Sequence, residues 1–171
     1  MRRADSLPPS RILYDAKFGN GAVKAPGHLA VVARRDSVTA KATGPFGGEL
    51  GRYEDGAFHG KGGDADFLDP ELVRGVLAGV WRGTAPIVAG ADGDDGLLRW
   101  NAADGVVAEG VLDVPGARLK SLRVQGPRGE LFGEFSGAFD PWPEVVQLTD
   151  LKSGWSLKLR RVIVETLKEE F

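Results

Sequence analysis

Glycine and proline interrupt this chain about every eight to twelve residues, which confines it to short elements joined by tight turns. Between the interruptions, apolar and polar residues mostly alternate. Ile12, Tyr14, Ala16 and Phe18 alternate with Leu13, Asp15 and Lys17, giving a strand with one apolar face before Gly19-Asn20-Gly21 turns the chain. His28 to Arg34 and Ser37 to Thr43 follow as a hairpin around Arg35-Asp36, with Val38, Ala40 and Ala42 on one face. Gly44-Pro45-Phe46-Gly47-Gly48 breaks the pattern, and Glu49 to Glu54 and Ala57 to Gly60 flank the two-residue turn Asp55-Gly56. Beyond the loop Asp92 to Gly96, strands are predicted at Leu97 to Trp100, Val106 to Val114, Arg118 to Gln125 and Gly129 to Gly137. Glu144 to Thr149 and Trp155 to Thr166 form the last hairpin. Within the final strand Trp155, Leu157 and Leu159 share one parity and Val162 and Val164 the other, which predicts a bulge or strong twist near Arg160-Arg161.

One helix is predicted. Asp69 can cap its free amides, Pro70 suits the first helical position, and Glu71 complements the macrodipole. Leu72, Val73, Val76, Leu77, Val80 and Trp81 recur on one stripe. Gly75, Gly79 and Gly83 each cost about 1 kcal/mol relative to alanine there, so close backbone approach to a sheet or ligand is expected to offset them. The expected fold class is α+β, mainly β: one curved antiparallel sheet, a half-open barrel of about ten strands, covering one short amphipathic helix. A length of 171 residues suits a single domain, taken as 11–171 behind a flexible segment 1–10.

Charge and composition narrow the function. The formal charge is -2 with both signs scattered, so no basic stripe exists for nucleic acid, and a soluble monomer is expected. No apolar run approaches the roughly 20 residues of a spanning helix. Met1-Arg2-Arg3-Ala4-Asp5 lacks a signal peptide's apolar core. The absence of cysteine removes disulfides, thiolate nucleophiles and thiolate metal ligands. His28 and His59 are the only histidines, and neither has the spacing of a metal site or a catalytic triad. Asp92, Asp94 and Asp95 lack the distal glutamate of an EF-hand, and Gly62-Gly63-Asp64-Ala65-Asp66 occurs once where calcium-binding solenoids repeat it; both read as turns. In Gly133-Glu134-Phe135-Ser136-Gly137 the serine is one position late for a nucleophile elbow. Neither Gly19-x-Gly21 nor the Gly44–Gly48 segment opens a helix that could cradle phosphate. No enzyme, cofactor or metal is therefore expected.

What remains is apolar surface. Tyr14, Phe18, Trp100, Phe132, Phe135 and Trp155 come from the sheet, and Leu72, Val76, Leu77, Val80 and Trp81 from the helix. The same residues would line a closed core or a ligand cavity. A helix of about three turns cannot cover one face of ten or so strands spaced about 4.8 Å apart, and this disproportion favours the cavity.

The order of elements also carries a family likeness. A meander containing the turn Pro45-Phe46-Gly47 is followed by the amphipathic segment Asp69 to Gly79. A second meander ends with Pro143 to Asp150 and Leu157-Lys158-Leu159. This arrangement resembles the LolA/LolB-like lipoprotein carriers and receptors, and is nearer the LolB-like branch, in which a P-L-G turn follows the third strand. The resemblance implies non-catalytic binding of lipoprotein acyl chains, or another acylated ligand, in a concave hydrophobic pocket. Lipoprotein localisation or transport in the bacterial envelope would be its purpose. It assigns pocket and lid to Tyr14, Phe18, Leu72, Val76, Leu77, Val80, Trp81, Trp100, Phe135 and Trp155, and the protruding membrane or cargo-transfer role to Phe46. It further implies a periplasmic or lipid-anchored outer-membrane protein, with a signal segment and lipid-bearing cysteine upstream of Met1. The family's N-terminal helix has no counterpart in Arg2 to Ser10, and the stretch after Trp81 is short and Gly/Pro-rich for further lid helices. The alternative is an outer-membrane adaptor lipoprotein that binds a protein partner through an apolar rim including Phe46.

Overall fold

A computed structural model describes residues 8–20, 23–34, 37–54, 57–60, 63–65, 87–101, 105, 107–116, 118–126, 129–140, 142–151 and 154–168. The first half of the chain forms β1 (Ser10–Asn20), β2 (Val23–Ala33), β3 (Val38–Thr43), β4 (Glu49–Glu54), β5 (Ala57–Gly60) and β6 (Gly63–Ala65). The second half forms β7 (Ile87–Asp92), β8 (Asp95–Asn101), β9 (Val107–Asp113), β10 (Arg118–Gly126), β11 (Gly129–Asp140), β12 (Trp142–Asp150) and β13 (Trp155–Thr166). The 13 described strands all pair antiparallel in one open sheet, ordered β6-β5-β4-β3-β2-β1-β13-β12-β11-β10-β9-β8-β7. Two meanders thus meet where the first strand pairs with the last. Residues 66–86 carry the chain from one edge strand to the other, and the predicted helix, with Leu72, Val76, Leu77, Val80 and Trp81, lies outside the described residues.

The sheet has more strands than the ten or so expected from sequence. β6 occupies the middle of the Gly62–Asp66 segment that reads as a turn, and β7 lies in a stretch assigned to no strand. β2 starts at Val23, not His28, because Pro26 and Gly27 hide its alternation; pairing with β3 begins only at His28, so Pro26 sits in an overhang where a proline is tolerated. At the N-terminal end Ser10, assigned by sequence to the flexible segment, is buried in β1. Its hydroxyl donates to the Pro8 carbonyl at 2.9 Å, and the Leu167 N–H donates to the Pro9 carbonyl at 2.8 Å.

Alternation places one face inward. Gly96, Leu98 and Trp100 of β8 are buried while Leu97, Arg99 and Asn101 are exposed. The same rule buries Ile12, Tyr14 and Ala16 in β1, Leu29, Val31 and Ala33 in β2, and Leu157 and Leu159 in β13, and these join one core cluster with Val146, Phe135, Leu122 and Ala108. Each fully buried leucine or valine contributes about 1.5–3 kcal/mol. Register shifts in the β1–β13, β3–β4, β7–β8, β9–β10 and β11–β12 pairs add local bend and twist, which coil the sheet toward its apolar face. In the first of these Leu13 pairs with Ile163 and Tyr14 with Arg161, leaving Val162 unpaired. That is the expected parity switch, one residue past Arg161: Val162 is 50% exposed, while Val164 packs against the core.

Close approaches fix two glycines. A Cβ on Gly27 would collide with the Thr43 carbonyl oxygen and lie 2.9 Å from Cε2 of Phe18. A Cβ on Gly110 would lie 2.9 Å from the Trp100 ring and 3.0 Å from Leu119. Gly27→Ala is expected to lower stability by about 1–3 kcal/mol, because a backbone atom cannot step aside. Gly48→Ala, with nothing within 4 Å of its Cβ position, should change stability by less than about 0.5 kcal/mol. Urea unfolding of both variants checks this contrast.

Tyr14 is wholly buried, and its phenol oxygen has no hydrogen-bond partner among the described residues. Burial pushes its pKa well above the ordinary 10.0, opposed by the charge of Arg161. A folded-state pKa above the unfolded one means that stability is full below about pH 10 and falls above it, by up to about 1.4 kcal/mol per pH unit. Stability measured from pH 8 to about 11 should therefore fall less steeply for Tyr14→Phe than for the native chain; parallel curves would contradict this.

Candidate functional site

The inner face brings together three of the aromatic residues picked out by sequence. Tyr14, Trp100 and Phe135 are buried in the common cluster, from β1, β8 and β11, while Phe18 and Trp155 are partly buried at its margin. Phe132 stands on the opposite face, where the Arg123 guanidinium lies 5.8 Å from its ring centre. Odd residues of β11 point inward and even ones outward, which separates it from Phe135.

Sequence reasoning missed Trp142 and Arg161. Trp142 is fully buried at the start of β12, and Pro141 and Pro143 on either side disguise it as a loop residue. The signal was parity, since Trp142, Val146 and Leu148 share one face. Arg161 faces inward because it lies directly across from Tyr14 in the β1–β13 ladder, where opposite residues share a face. Its Nη1 donates to the backbone carbonyl of Trp142. Among the described residues neither the Tyr14 hydroxyl nor the Trp142 indole N–H has a partner, although both are closed to solvent. Tyr14, Arg161 and Trp142 thus place a polar patch on the inner face across the adjacent strands β12, β13 and β1.

One rim of the sheet carries a different feature. Phe46 lies at the tip of the β3–β4 connection and is 100% exposed. The Gly47 N–H donates to the Gly44 carbonyl at 3.1 Å and the Gly44 N–H to the Gly48 carbonyl at 2.8 Å, so Pro45 and Phe46 occupy the centre of a closed turn. Pro45 fixes its own φ, and Gly47 takes φ +83°, a region that disfavours any side chain. Phe46 is held outward by backbone geometry. Leu151, in the β12–β13 connection, is 43% exposed on the same rim.

His28, Asp92, Asp94, Asp95 and Ser136 stand away from the inner face. His28 and Asp15 are a cross-strand pair 3.2 Å apart on the outer face, both half-exposed, an arrangement that contributes little. Asp95 is bonded to Lys120 at 3.0 Å, and Asp92-Gly93-Asp94 turns β7 into β8 with Gly93 at φ +60°. Among the described residues no group of three His, Asp or Glu side chains converges on a metal-sized space. Ser136 lies within β11 on the outer face, not on a strand-to-helix elbow. An open groove of about 750 Å³ crosses this outer face over β9–β13, lined by Arg118, Lys120, Phe132, Glu134, Val145 and Lys158. Two of its cations are already engaged, Arg118 with Asp113 at 3.6 Å and Lys120 with Asp95.

No protein-family model matches the chain, and no curated protein matches it by sequence. Solved structures do. A LolA superfamily protein from Nitrosomonas europaea superposes with a TM-score of 0.62 at 9% identity, covering 96% of this chain and 89% of that one. An outer membrane lipoprotein-sorting protein domain from Vibrio parahaemolyticus superposes with a TM-score of 0.51 at 10% identity, covering 97% and 90%. At such identities the likeness is one of fold, and it extends over nearly the whole chain. The single coiled antiparallel sheet is accordingly a LolA-like fold.

Proposed function

We propose that the domain binds the acyl chains of a lipoprotein, or of another acylated molecule, against the inner face of its sheet and exchanges them at the rim that carries Phe46. No bond is made or broken. The setting proposed is the bacterial envelope, in the periplasm or on the inner side of the outer membrane. The observation that carries this reading is Phe46: wholly exposed, at the tip of a turn that cannot fold it back. The fold likeness to a lipoprotein-sorting domain supports it, as does the broad apolar inner face. Burying each methylene of an acyl chain contributes about 0.8 kcal/mol, so one or two chains suffice for tight binding. Because Tyr14, Trp100 and Phe135 are closed to solvent, ligand entry requires that whatever covers them yield.

The division of labour is testable. Protein loaded with a fluorescent diacylated lipopeptide should transfer it to phospholipid vesicles. Phe46→Ala and Phe46→Asp should slow transfer by about tenfold or more, the equivalent of the insertion energy of one phenylalanine. Lipopeptide affinity and thermal midpoint should stay unchanged, because Phe46 touches nothing in the core. Unaltered transfer rates would remove the role given to Phe46. Failure to bind the lipopeptide would remove the carrier reading and leave a protein partner as the occupant of this rim.

A further inference from the structure

The polar patch on the inner face has a chemistry of its own. Tyr14, Arg161 and Trp142 come from three adjacent strands, and Arg161 links the other two: it stands opposite Tyr14 and donates to the Trp142 carbonyl. Among the described residues no carboxylate lies within ion-pair distance of Arg161. Glu144 is occupied elsewhere, accepting from the Ala138 N–H at 3.2 Å. A guanidinium and an indole N–H only donate, and a phenol hydroxyl donates readily. Beyond the Trp142 carbonyl that receives Arg161 Nη1, the described residues leave the patch with donors and positive charge and no matching acceptor. Leaving buried donors unpaired is costly. A structural role alone would be served as well by phenylalanine at 14 and an apolar residue at 161.

We propose that Arg161, Tyr14 and Trp142 form a headgroup site for an anionic oxygen group, carboxylate or phosphate, at the end of an acyl chain lying on the inner face. The bulge at Val162 is the local device that builds it, because the extra residue lets both Arg161 and Val164 face inward on one strand. The guanidinium, already tethered through Nη1, presents its remaining N–H groups without further ordering, and a charge-assisted bond to an oxyanion outweighs a neutral one. This rests on the reading of the inner face as the acyl site and adds to it a preference for charged over neutral ligands.

Three C16 ligands test it on the full chain: palmitate, hexadecyl phosphate and hexadecanol, with affinities measured by calorimetry or by displacement of a fluorescent fatty acid. At least one anion should bind about tenfold or more tighter than the alcohol, and the tighter anion names the headgroup. Tyr14→Phe removes an unpaired hydroxyl without changing shape, so it should fold with equal or greater stability. Its affinity for the preferred anion should nevertheless drop several-fold, with that for hexadecanol unchanged. Arg161→Met should bring the anion-to-alcohol ratio to about one, and Arg161→Lys should recover part of it. If all three ligands bind alike, or the ratio is unmoved in these variants, the headgroup site is overturned while acyl binding stands. If none binds, the acyl reading falls and this inference with it.

Discussion

Tyr14, Trp100, Trp142, Leu159 and Val146 stand on one face of a single sheet with essentially no solvent exposure, and keeping that face dry is the constraint on which the other features depend. A flat antiparallel sheet would leave such residues wet. Coiling, driven by the right-handed twist and by register shifts spread through both meanders, turns the apolar face inward. Gly27 and Gly110 allow the close approaches this needs, one to the backbone of β3 and one to the Trp100 ring. The outer face is ordinary by contrast. Its charges mostly pair across strands, as in Lys41 with Glu49 and Arg123 with Glu130, and contribute little individually.

Within that dry face the exceptions are informative. A face that served only as core would have no use for a part-buried guanidinium on the same face as buried donors that lack partners among the described residues, whereas an amphipathic ligand would. Phe46 is the mirror image: a large apolar side chain held away from every apolar neighbour by a closed turn. Placing donors inside and an aromatic ring outside runs against what folding alone favours. In the proposed function both exceptions serve the ligand, one at its headgroup and one at its point of exchange.

Much of the fold was legible in the sequence because period-two alternation and Gly/Asp turns carry local information. The hairpins around Asp55-Gly56 and Asp150 to Gly154 are where the turn chemistry puts them, and the parity change between Leu159 and Val164 marked the bulge. Phe46 could be picked out as protruding through family likeness alone, since a Pro-Phe-Gly turn could equally tuck its ring inward. Trp142 was hidden by its flanking prolines. Arg161 was hidden because its inward orientation depends on cross-strand register, a non-local property that no single strand reveals. Strands without clear alternation, such as β6 and the first part of β2, were also lost, since neighbours and not their own sequence hold them.

Tryptophan fluorescence with a brominated fatty acid reports whether the inner face receives an acyl chain. Bromine quenches an indole only near contact, and Trp100 and Trp142 are buried within the inner cluster. Saturable quenching by 11,12-dibromostearate, reversed by an excess of unlabelled stearate, is expected if the acyl chain lies on this face. Fluorescence that is unaffected by the brominated chain at concentrations that saturate a control fatty-acid-binding protein would contradict it.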